Sequence, residues 1–92
     1  MHETGIMRAL VRRLEDAARE AGAVRVAGVA VWLGALSAFS PAHFREHFED
    51  EARGTLAEGA ALQIETSSDP RHPHAQDLML QSIDLDVPDG EG

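Results

Sequence analysis

The sequence predicts an α+β fold, a two-layer sandwich of two helices packed on a three-stranded mixed sheet in the order α-β-α-β-β. Three observations predict it. Apolar residues recur at three- and four-residue spacing over residues 4–21. The period then drops to two from Val24 to Leu33, and a Ser40-Pro41 start signal precedes a second helical stretch.

In the first helix Ile6, Met7, Leu10, Val11, Leu14, Ala17, Ala18 and Ala21 fall in one stripe, with Arg8, Arg12, Glu15, Asp16 and Arg19 opposite. Gly22 follows the last apolar position, where a left-handed cap belongs. In the strand that comes next, Val24, Val26, Val29, Val31 and Leu33 alternate, and the parity slips at Ala27-Gly28 as at a bulge. So little polar character marks this strand as the central one.

Ser40 is placed to cap the second helix, and Pro41 at its first position gives up no needed N–H. Phe39 and Phe44 have the spacing of a hydrophobic staple, Phe44 and Phe48 face the core, and Gly54 stops the helix. Thr55 to Gly59 reads as a capped turn. Leu62 and Ile64, alternating with Gln63 and Glu65, mark a second strand. A polar loop from Ser67 to Ala75 leads to a third strand around Leu78 to Leu85, whose apolar parity is split between Leu78/Leu80 and Ile83/Leu85. The expected organisation is one domain over residues 1–86 and a disordered acidic tail over 87–92.

Ninety-two residues leave no room for a second core, and a domain of this size has little volume to give up to a substrate cleft. Catalysis is therefore not expected. With no cysteine there is no disulfide, thiolate zinc site or thiol nucleophile. The N-terminus is charged and amphipathic rather than signal-like, and the apolar run Val26 to Phe39 is only 14 residues long. Both point to a soluble cytoplasmic protein with no membrane contact. The net charge of −8 is concentrated in residues 46–92, which carry two Arg against twelve acids. Such a surface repels phosphate backbones and excludes nucleic acid as a partner.

Four groups of residues are candidates for chemistry. His43-Phe44-Arg45-Glu46-His47 matches the His-x-x-Glu-His pattern of inverted zinc metallopeptidases, and two His four apart share a helix face. A catalytic zinc needs a third ligand and a cleft, so these read as surface histidines, and a minimal zinc hydrolase using them is disfavoured. His72-Pro73-His74, with Asp69 and Asp77 nearby in sequence, reads as incidental loop histidines. Glu46, Glu49, Asp50 and Glu51 read as a solvated helix face.

The fourth candidate is the N-terminus, Met1-His2-Glu3. An α-amine, deprotonated amides and an imidazole can lie in one plane, the tetragonal nitrogen set that suits Ni(II) or Cu(II). The bulk of His2 also disfavours aminopeptidase removal of Met1.

Several segments give this candidate weight. They are Met1-His2-Glu3, Glu20-Ala21-Gly22-Ala23, Arg25-Val26, Leu33-Gly34-Ala35-Leu36-Ser37, Pro41, Phe48, Arg53 to Ala60 with Leu62 and Ile64, and Leu80 to Asp84. In order and spacing the chain resembles the HypA/HybF family of hydrogenase nickel-incorporation proteins. The resemblance implies the same two-helix, three-strand fold. It also implies Ni(II) held by the Met1 amine, the His2 amide and imidazole, and the Glu3 amide. The implied partners are a nickel GTPase of the HypB family and the large-subunit precursor of a nickel–iron hydrogenase. Some relatives also serve urease.

The chain departs from that pattern twice. The family carries a zinc lobe with two Cys-x-x-Cys pairs between the second and third strands, where residues 66–77 here form a short loop without cysteine. No structural zinc is expected. An acidic residue frequent in the family, a further nickel ligand, is replaced here by Ser40. The reading is thus a compact nickel metallochaperone for hydrogenase maturation. The alternative is a scaffold or regulatory homologue that binds maturation partners without passing metal.

Overall fold

A computed structural model describes residues 3–88, with the side chains of residues 3 and 4 outside that description. The elements are α1 (Glu3–Ala21), β1 (Arg25–Leu33), α2 (Pro41–Ala52), β2 (Ala61–Thr66) and β3 (Leu78–Asp86). The strands lie in the order β2-β1-β3, with β1 parallel to β2 and antiparallel to β3, so the sheet is mixed. The sequence-derived fold class and element order are those observed.

The apolar stripe of α1 supplies Met7, Leu10, Val11, Leu14 and Ala18 to the core, and β1 supplies Val26, Val29, Val31 and Leu33. Phe39, Phe44 and Phe48 close the layer from the α2 side. Burial of these side chains is the main stabilising term, at roughly 1.5–3 kcal/mol for each large one. Gly22 adopts φ +71° at the end of α1, the left-handed cap its position predicts, and Ala23 N–H reaches the Ala18 carbonyl at 2.8 Å. Ala21 and Val24 depart from expectation. Ala21, the last residue of α1, is exposed, and Val24 is 56% exposed just ahead of β1.

α2 starts as the sequence indicates. The Ser40 hydroxyl accepts the His43 N–H at 3.2 Å, Pro41 occupies the first turn, and the Phe39 and Phe44 rings meet edge-on at 5.4 Å. The helix ends at Ala52, and Gly54 follows at φ +82°. The Thr55 hydroxyl donates to the Ala52 carbonyl at 2.7 Å and accepts the Ala57 N–H at 3.0 Å, while Glu58 caps the Gly54 N–H at 3.0 Å.

Two irregularities set the sheet register. β1 pairs Val26 with Leu85 and Gly28 with Asp84, leaving Ala27 as the extra residue, as the parity slip suggested. β3 pairs Ser82 with Ala30 and Leu80 with Val31, leaving Gln81 as the extra residue. This second irregularity resolves the split parity of β3. Leu78 and Leu80 on one side of it, and Ile83 and Leu85 on the other, all pack against the same core.

The connection from β2 to β3 is an ordered strap rather than a loose loop. Successive turns join Asp69 to His72, His72 to Ala75 and His74 to Asp77 through backbone hydrogen bonds. The Ser67 hydroxyl and the Asp69 carboxylate accept the N–H groups two residues on. The strap is tied to the end of β1 by Ser67 N–H to Leu33, Gly34 N–H to Asp77 and Leu36 N–H to Ala75.

Candidate metal centre

Of the three residues predicted to hold nickel, Met1 and His2 lie outside the described residues, and Glu3 is described only as the first residue of α1. The four terminal tail residues also lie outside the description. The start of α1 is nevertheless placed. Ile6 lines a groove together with Ser37, Ala38 and Phe39 on one side and Gln76, Asp77 and Leu78 on the other. Farther along, Arg8 Nε meets the Glu51 carboxylate of α2 at 3.4 Å, and Glu15 accepts the Leu56 N–H at 3.3 Å. The first turn of α1 therefore sits above Phe39 and beside α2.

The other three candidates resolve as follows. His43 and His47 lie one turn apart on the flank of α2, with their Nε2 atoms 2.8 Å apart and ring centroids at 4.4 Å. Both rings are half-buried, and the edge of Phe39 backs them at 6.0 and 6.3 Å. Their four-residue spacing signals this shared face; the closeness of the two nitrogens is not legible in it.

In the strap, His72 Nδ1 accepts the His74 N–H at 2.9 Å, and its ring lies 4.9 Å from that of Trp32. His74 Nδ1 meets the Asp77 carboxylate at 2.8 Å. Asp77 was expected to be near in sequence only; the turn between His74 and Asp77 fixes it. Within the acidic face of α2, Asp50 pairs with Arg53 at 3.1 Å and Glu51 with Arg8, while Glu46 and Glu49 are exposed, as a solvated face requires. Among the described residues no three His, Asp or Glu side chains converge as a metal site. No described helix is long and apolar enough to cross a membrane.

The model of the family "Hydrogenase/urease nickel incorporation, metallochaperone, hypA" matches residues 1–70, from the first residue through β2 into the strap. The chain belongs to the HypA family.

Among relatives, a hydrogenase maturation factor HypA from Acidithiobacillus ferrooxidans is 38% identical over 66 residues, 72% of this chain and 58% of its own length. The corresponding protein of Chlorobium limicola is 42% identical over 65 residues, 71% of this chain and 56% of its own. The chain thus spans less than three-fifths of the length of these HypA relatives. The solution structure of the nickel metallochaperone HypA from Helicobacter pylori superposes with a TM-score of 0.78 at 20% identity, covering 95% of this chain and 99% of that one. This shows that the HypA fold extends past the sequence match to include β3. The family match in sequence stops at residue 70, ahead of the Leu80 to Asp84 segment.

Proposed function

We propose that this HypA-family chain carries Ni(II) at Met1-His2-Glu3 and passes it on during maturation of a nickel–iron hydrogenase. The observation that carries this reading is the family match beginning at residue 1, on the segment whose donors form a planar nitrogen set. The Met1 amine, the His2 amide and imidazole and the Glu3 amide would supply four nitrogens in a plane, the geometry preferred by a d⁸ ion.

The fold suits this arrangement. Glu3 opens α1, and the first N–H groups of a helix have no intrahelical acceptor. The Glu3 amide is therefore not committed to the helix ladder and is available for deprotonation by a metal. Nickel is cargo here rather than a resident cofactor, and its transfer exchanges coordination bonds and the amide protons released to water, with no covalent change to the protein. The partners this reading assigns are a GTPase of the HypB family and a hydrogenase large-subunit precursor, in the cytoplasm. In this reading the loop over residues 66–77 replaces the family's zinc lobe, so no structural zinc is assigned.

The test is a Ni(II) titration of the chain with its native N-terminus, set against His2→Ala and against a chain with a retained N-terminal tag. The native chain should give the diamagnetic, square-planar Ni(II) spectrum of a four-nitrogen plane, and both changes should abolish that spectrum. A square-planar signal indifferent to both would remove the cage. If hydrogenase activity also survived His2→Ala but not deletion of the whole chain, the non-delivering scaffold would replace the metallochaperone.

A further inference from the structure

We propose that His43 and His47 form a further metal locus, a bis-imidazole clamp for a divalent ion of the nickel–copper–zinc group. The proposal stands on α2 alone and does not require nickel at Met1-His2-Glu3.

The geometry argues it. Two imidazoles one turn apart on α2 bring their Nε2 atoms to 2.8 Å. Metal–imidazole bonds are about 2.0–2.1 Å, which puts two cis nitrogens about 2.9 Å apart on a square plane and about 3.4 Å apart on a tetrahedron. The pair thus already stands at the separation of two cis ligands of a tetragonal ion, and a tetrahedral ion needs only a further half-ångström or so of opening. In the metal-free protein such a contact is a hydrogen bond, with one ring donating Nε2–H and the other accepting. Moving the donor's proton to Nδ1 gives the neutral tautomer that offers a second lone pair, with no change in charge.

Phe39, itself buried, packs against both rings at 6.0 and 6.3 Å between centroids. His43, but not His47, also lines a shallow surface groove with Ala42, Arg45, Glu46 and Glu49, whose charged side chains are two carboxylates and one guanidinium. Among the described residues no third His, Asp or Glu side chain joins the pair as a metal site. The clamp flanks Phe39, which also lines the groove beside the first turn of α1, so it lies at the end of the molecule where α1 begins.

The experiment uses the full chain with His2→Ala and a blocked N-terminus, titrated with Cu(II) and with Ni(II) by calorimetry. One equivalent should bind. Loss of a residue that merely orients a ligand costs roughly 10–100-fold in metal affinity, so His43→Ala and His47→Ala should each weaken binding at least that much. The double variant His72→Ala/His74→Ala should leave it intact. Binding that survives both α2 variants, or that disappears with the strap histidines, overturns the proposal. Because either α2 variant removes a ring packed on Phe39, substoichiometric Cu(II) is also added to the chain with all α2 residues native, under NMR observation. The ring resonances of His43 and His47 should broaden first; broadening of those of His72 and His74 first overturns the clamp.

Discussion

A Cβ built on Gly34 would lie 2.5 Å from the carbonyl carbon of Ala75, closer than real Cβ contacts come. Gly34 leaves the end of β1, and Ala75 is the buried residue of the strap that lies against it. The obstruction is backbone, which cannot swing aside as a side chain would. Gly34→Ala should therefore lower stability by about 1–3 kcal/mol, the usual range for forcing atoms into a packed site. Gly5→Ala is the control. Nothing lies within 4 Å of its built Cβ, and it sits inside α1, so the same substitution should raise stability by up to about 1 kcal/mol. Urea unfolding of the two variants should show opposite signs.

Phe44 is fully buried and meets the rings of both Phe39 and Phe48. Removing it costs about 3–5 kcal/mol. A domain of this length has a total stability on the order of 5–14 kcal/mol. Phe44→Ala should accordingly lower the thermal midpoint by ten degrees or more, on the order of 4–8 °C per kcal/mol. A melt followed by circular dichroism checks this.

Ser40 caps α2 through His43 N–H. Loss of the cap in Ser40→Ala should cost about 1 kcal/mol. Ser40→Asp replaces one good cap by another and should leave the unfolding midpoint nearly unchanged. Equal destabilisation by both would show that the cap does not set the start of α2.

Trp32 and His72 bring the sheet and the strap together at 4.9 Å between ring centroids. Trp32 is the protein's one tryptophan, so its fluorescence reports the cover that His72 provides. In His72→Ala the emission should shift to longer wavelength as solvent reaches the indole. His74→Ala should leave it in place, because the ring that meets Trp32 belongs to His72.

How much of this was legible in the sequence depended on how local each signal is. The helix spacing of α1, the Ser40 cap and Gly22 act within one or two turns, and each appeared where the residues placed it. The bulge at Ala27 was visible because it falls between valines whose alternation changes phase. The irregularity at Gln81 was not, since Gln81 and Ser82 are both polar and either could be the extra residue between the two phases, so only pairing with β1 decides between them. The turns of the strap are local, but its docking depends on hydrogen bonds with Leu33, Gly34 and Leu36, which are far away in sequence. The face shared by His43 and His47 follows from their spacing, but the 2.8 Å between their nitrogens depends on rotamers held against Phe39.

The most direct test of nickel at Met1-His2-Glu3 is the proton NMR spectrum of the His43→Ala/His47→Ala chain with its native N-terminus, after addition of one equivalent of Ni(II). Four nitrogens in a plane make the d⁸ ion diamagnetic, so the resonances of residues near the start of α1 should shift and stay sharp. Paramagnetic broadening there, or sharp lines unchanged from the metal-free chain, would contradict the account.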